Sequence, residues 1–136
     1  MQTNEYEGQE KLRVEKLFAT KHRKGFKSKT DFADWYLTAL RKQNYSCYYC
    51  DTSIFDINRL IDLQKLRERK IGYGWRGRVL EIDKKENGNG YNSENCVLSC
   101  YYCNNDKSYT LDSEDYKQYF GKNRSEYFKI LIQNED

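Results

Sequence analysis

Apolar positions recur at helical spacing most clearly in "TDFADWYLTALRKQ", where Phe32, Trp35, Tyr36 and Leu40 fall on one face and Thr30 precedes them as an N-cap. The spacing predicts a helix there. Upstream, residues 5 to 20 mix Leu12, Lys16 and Phe18 with charges in a looser helical pattern that runs towards "KHRKG", with Gly25 as its stop. Downstream, "DINRLIDLQKLRERK" places Ile57, Leu60, Ile61, Leu63 and Leu66 at helical intervals, predicting a helix over 56–70 that Gly72, Gly74 and Gly77 break.

The period then changes. "RVLEIDKK" reads as a strand, "ENGNGYNSEN" as a turn with Gly88 and Gly90 able to take positive φ, and "CVLS" as a second short strand. A helix is expected from Cys103. Two more follow, one from the N-cap Ser113 to Gly121 and one over "SEYFKILIQ". The pattern is strand, loop, strand, helix, set among other helices, which makes the chain α+β.

The chain's 136 residues suit one domain, and residues 1–136 are read as such. It divides into a basic helical part (1–46), a core carrying the strands (47–108) and C-terminal helices (109–136). Aromatic residues reach 15%, thirteen of them Tyr, which excludes a disordered chain despite 33% charged residues. No apolar run nears the roughly 20 residues of a membrane span, and the start has no signal-peptide core. A cytoplasmic protein with no membrane partner is expected.

Charge changes the picture through its placement rather than its net value of +3. Residues 11 to 29 carry Lys and Arg repeatedly, Arg23 and Lys24 among them, against the single acid Glu15, and residues 65 to 78 do the same against Glu68. Two such segments suggest a polyanionic partner, although a solvated helical face explains charge alone equally well.

Five cysteines in a reducing compartment, an odd number, argue against disulfides. Cys47-x-x-Cys50 and Cys100-x-x-Cys103 are two knuckles, each able to aim two thiolates at one ion, and together they complete a tetrahedral Zn²⁺ shell. Four thiolates leave no open position, so such a zinc is structural. Cys96, between apolar neighbours, reads as a small buried hydrophobe. Chemistry must then come from elsewhere. Asp83 at the end of the first strand and Asn104 at the start of the helix are placed to bind one hard cation such as Mg²⁺, which takes one or two protein oxygens and leaves the rest to water and phosphate.

"LEIDKKENGNGYNSENCVLSCYYCNNDK" resembles the HNH (ββα-metal, His-Me finger) nuclease motif, an acid on the first strand, a glycine-bearing loop, an Asn, then Cys-x-x-Cys-Asn-x-x-Lys. The resemblance implies a zinc-stapled ββα-metal unit, a two-stranded hairpin plus helix embedded in additional helices. It places Asp83 and Asn104 at the catalytic Mg²⁺ or Mn²⁺ and Asn95 as the tie of the loop. The PacI-type restriction endonucleases, a branch of that family, are similar in further parts, here His22, "FADWY", Cys47 and Cys50, "IDKK" and Gly90-Tyr91. That branch's additional N-terminal zinc site has no counterpart in this chain.

Lys84 departs from the family, which mostly carries a general-base His there. An ordinary lysine is protonated at neutral pH and suits phosphate neutralisation better than proton abstraction. His22 and Tyr91 therefore stand beside Lys84 as candidates for the base. The resemblance implies hydrolysis of phosphodiester bonds in double-stranded DNA, with Arg23, Lys24, Arg76, Arg78 and Lys107 gripping the nucleic acid. Tyr73 and Trp75 are placed to stack on bases, core packing being the commoner use of Trp75. A double-strand cut by one metal site is made most simply by a homodimer on a palindrome. The alternatives are a zinc-containing nucleic-acid-binding module without catalysis, which Lys84 allows, and a Cys-x-x-Cys redox protein.

Overall fold

The computed structural model describes residues 3–19 and 25–134. Helix α1 (Thr3–Leu17) packs on α2 (Lys29–Lys42), and α3 (Ile54–Asp62) follows. Two antiparallel hairpins come next, β1 (Arg69–Ile71) with β2 (Gly74–Arg76) and β3 (Glu81–Lys84) with β4 (Cys96–Ser99). Helix α4 (Tyr101–Lys107) leaves β4 directly. Then α5 (Ser113–Asp115) runs through a π-helical stretch, Tyr116–Gly121, into α6 (Lys122–Gln133). No helix of the described residues is long and apolar enough to cross a membrane.

The core joins these elements. Phe32, Tyr36 and Leu40 of α2, Ile54 and Ile57 of α3, Leu98 of β4 and Phe128 of α6 are fully or almost fully buried in one cluster that also holds the four knuckle cysteines. In α1 the buried stripe is Tyr6, Glu10 and Val14, one residue per turn, whereas Leu12 faces solvent. Glu10 is buried because it is satisfied. Arg13 pairs with it at 2.8 Å, and the Tyr36 hydroxyl lies 3.0 Å from it and 2.8 Å from the Leu80 carbonyl just before β3. The polar knot thus fastens the two N-terminal helices to the root of the β3–β4 hairpin.

Helix boundaries differ from the sequence expectation for identifiable reasons. Ser28, not Thr30, caps α2, its hydroxyl accepting from the Asp31 amide at 3.1 Å. The helix expected over 56–70 ends at Asp62, because Gln64 takes a left-handed conformation at φ 63° and the Lys65 amide bonds back to the Leu60 carbonyl. That is a Schellman end built on glutamine where glycine is usual, so no glycine announces it. The residues released form β1, and β1–β2 is a hairpin the periodicity did not show. Helix α4 begins at Tyr101, with the Cys100 sulfur as its cap. Asp112 rather than Ser113 caps α5.

Gly121 does not stop a helix. Its backbone is helical, and a Cβ there would overlap the Tyr49 carbonyl. Gly25 has a similar use, its Cα lying against the Tyr91 carbonyl at the loop of the β3–β4 hairpin. Both glycines are sites of close backbone approach.

Candidate metal centre and active-site cleft

The turn Cys47–Cys50 and the β4–α4 junction bring four sulfurs together. The Sγ atoms of Cys47, Cys50, Cys100 and Cys103 all lie within 4.8 Å of one another, and all four residues are buried. The Cys50 and Cys100 sulfurs are 3.9 Å apart, close to the roughly 3.8 Å edge of a tetrahedron with Zn–S bonds of about 2.3 Å. Amides support the shell, Tyr49 donating to Cys47 Sγ at 3.3 Å and Cys103 to Cys100 Sγ at 3.4 Å. The donor set fits one closed, four-coordinate zinc. Burial pushes the Cys100 thiol well above its ordinary value. Cys96 lies apart from this cluster, buried on β4, its thiol pushed up to about 11 by burial.

The β3–β4 register pairs Asp83 with Val97 and Lys84 with Cys96, and Asn95 closes the loop between the strands. The Asn95 amide donates to the carbonyls of Glu86 and Gly90, each at 2.8 Å, and accepts from the Glu86 amide at 3.0 Å. On the other edge of β4, the Gln43 side chain accepts from the Leu98 amide and donates to its carbonyl, which also accepts from the Tyr48 amide at 2.9 Å, so that edge is covered.

A cleft of about 630 Å³ opens beside this hairpin, lined by Asp83, Lys84, Tyr91 and Asn104 together with Glu81 and Arg76. Asp83 is buried at its wall. The Tyr49 hydroxyl, which lies 2.7 Å from Ser113 Oγ, donates to Asp83 Oδ2 at 2.6 Å. The Lys107 ammonium sits 3.5 Å from both carboxylate oxygens. Burial raises the Asp83 carboxyl above the ordinary carboxylate value, and the bonds from Tyr49 and Lys107 pull against that rise. The same burial, with the Asp83 charge adding to it, holds the Tyr49 phenol firmly protonated.

Asn104 faces a different partner. Its Nδ2 donates to Glu81 Oε1 at 2.9 Å, and Glu81 also receives the forked guanidinium of Arg76 at 2.6 and 2.9 Å. A carboxylate so paired can only accept, which fixes the Asn104 amide with its NH₂ towards Glu81 and leaves Oδ1 as the end available to a cation. Lys84 Nζ lies 4.8 Å from the centre of the Tyr91 ring and 6.0 Å from that of Tyr109, an ammonium between two aromatic faces. Burial raises the Tyr91 phenol.

Several expected roles need correction. Lys107 is only 2% exposed and is spent on Asp83 and the Lys84 carbonyl, so it is an internal counter-ion and not a phosphate contact. Arg76 is paired with Glu81, and Arg78 with Asp62 and Glu68 and with Asn58. Trp75 is 61% exposed and does not pack in the core. His22, Arg23 and Lys24 lie outside the described residues. The partners Tyr49, Ser113 and Glu81 went unseen in the sequence. Tyr49 carried one signal, its place inside the first knuckle.

A strand pair with a tied loop, a helix leaving the second strand and four clustered cysteines at the junction together make a ββα unit. Among solved structures the chain is similar to the rare-cutting HNH restriction endonuclease PacI, described for an extraordinary mechanism of DNA perturbation. The likeness has a TM-score of 0.58 at 23% identity and covers 93% of this chain and 80% of that one. The two share a fold. No family model matches the chain, and no curated protein does.

Proposed function

We propose that the chain is a metal-dependent DNA endonuclease acting as one unit, residues 1–136, around a single structural zinc, with its chemistry at Asp83 and Asn104. One observation carries this reading. A buried aspartate and an asparagine of fixed amide orientation line one cleft, on the frame the chain shares with PacI.

Mg²⁺ or Mn²⁺ bound there would supply Lewis-acid stabilisation of the scissile phosphate and of the leaving oxygen. Asp83 and Asn104 Oδ1 are the protein ligands, a number that suits a cation which keeps water and phosphate for its remaining positions. Tyr49 and Lys107 hold Asp83 in place, and Glu81 holds Asn104. Lys84, stacked against Tyr91, neutralises a phosphate oxygen. A phenol is ordinarily protonated at neutral pH and burial raises that of Tyr91 further, which suits it to donate a hydrogen bond rather than take a proton. The base in this proposal is therefore His22, the chain's one histidine, because imidazole is the side chain that ordinarily titrates near physiological pH. Double-stranded DNA is the substrate, and a second copy of the chain is the simplest means of cutting both strands.

The second reading, a binding module without catalysis, is favoured by the Lys107 ammonium already beside Asp83. Incubation of supercoiled plasmid with the zinc-loaded protein and Mg²⁺ or Mn²⁺ separates the two. Cleavage lost in both Asp83→Ala and Asn104→Ala, with zinc content unchanged, supports the nuclease; binding without cutting under either metal supports the module.

A further inference from the structure

The hairpin β1–β2 carries its large apolar side chains mostly exposed. Its two-residue turn is Gly72–Tyr73, with Gly72 at φ 47° as a primed turn requires of its first central residue. Tyr73 at the tip is fully exposed, and Trp75 and Ile71 are exposed beside it at 61% and 44%. Three large apolar residues within five positions at a projecting tip are costly in water and mark a contact surface. The ribbon is also basic. Arg67, Arg69 and Lys70 are exposed, and Lys70 Nζ lies 5.8 Å from the centre of the Trp75 ring, which pairs with it across the strands.

From this we infer that the β1–β2 hairpin is a base-stacking wedge for double-stranded DNA, its Tyr73 and Trp75 lying against bases while Arg69 and Lys70 hold flanking phosphates. Charge selects the occupant. A ribbon with exposed aromatics and cations only is complementary to a polyanion with π faces, and a two-stranded ribbon has the width of the major groove. Position selects it as well. Ile71, Trp75 and Arg76 line the same cleft as Asp83 and Asn104, so a duplex laid along that cleft meets the hairpin beside the reacting phosphate. The inference rests on the nuclease reading only in taking DNA as the polyanion.

The test measures binding of the full zinc-loaded chain to fluorescently labelled mixed-sequence duplex, without added divalent cation, across a salt series. Tyr73→Ala/Trp75→Ala is expected to weaken binding at least tenfold with an unchanged slope of log Kd against log salt and an unchanged melting temperature, because both side chains are exposed. Arg69→Ala/Lys70→Ala is expected to lower that slope by about two. Wild-type affinity in the aromatic variant overturns the inference. So does a variant that loses only self-association, which would make the hairpin a contact between copies, and so does a wild type that binds no duplex. A wild type that binds through the hairpin and never cuts leaves the wedge standing and removes the nuclease; one that cuts with undiminished affinity after the aromatic substitution does the reverse.

Discussion

Tyr49→Phe removes one oxygen and tests whether the Cys47–Cys50 knuckle positions Asp83, the proposed metal ligand. In the wild type, the Tyr49 hydroxyl donates to Asp83 Oδ2 at 2.6 Å and lies 2.7 Å from Ser113 Oγ, all three groups being buried. Phenylalanine keeps the ring, which packs edge-on against Tyr116 at 5.3 Å, and deletes the bond. A hydrogen bond to an ionised group is worth about 1.5–3 kcal/mol, and a pKa unit about 1.4 kcal/mol, so Asp83 is expected to titrate about one to two units higher in the variant. Burial already favours protonated Asp83 in the folded chain. Its contribution to stability is therefore full below the ordinary carboxylate range and is lost as pH rises through the folded value, which the substitution moves further up. The variant is thus less stable than the wild type at neutral pH, and the gap narrows towards acid. Carboxyl-carbon NMR titration of Asp83 in the zinc-loaded proteins, without divalent cation, reads the shift directly. Equal midpoints in the two proteins would refute the argument.

Other perturbations have equally definite outcomes. Gly121→Ala places a Cβ into the Tyr49 carbonyl, and the resulting backbone shift is expected to cost about 1–3 kcal/mol, read as a lowered melting temperature and a weakened Tyr49–Asp83 bond; an unchanged melting temperature would deny the close approach. Prolonged treatment with a strong zinc chelator is expected to unfold the chain, because the four cysteines lie within the core cluster and zinc-site energy is folding energy, with loss of near-ultraviolet circular dichroism as the readout. Retention of the native spectrum in a metal-free sample would remove the staple from the account.

The cysteine centre was legible because the number of cysteines is small and each knuckle is set by local chain geometry, so spacing alone forecasts convergence. The β3–β4 hairpin was legible for a related reason. Its alternation and the Gly-Asn-rich loop are local signals, and the Asn95 bonds close that loop within ten residues. The end of α3 was misread because Gln64 takes a left-handed conformation normally given to glycine. Partners of the acid were invisible for another reason. Tyr49 and Lys107 reach Asp83, and Ser113 reaches Tyr49, from elements far apart in sequence, and the place of Tyr49 inside the first knuckle was the only local mark on it among thirteen tyrosines. Lysine near a helix end reads as a surface residue, so burial of Lys107 beside a carboxylate appeared only in three dimensions.

At the centre of the account is a division of labour: a closed cysteine shell that only positions, and a cleft beside it that hydrolyses DNA. Conversion of supercoiled plasmid to nicked or linear form tests it most directly. The account predicts conversion with Mg²⁺ or Mn²⁺ and none without, and no conversion by Asp83→Ala or Asn104→Ala protein that keeps its zinc and its melting temperature. Intact plasmid under both metals, or full activity in either variant, would contradict it.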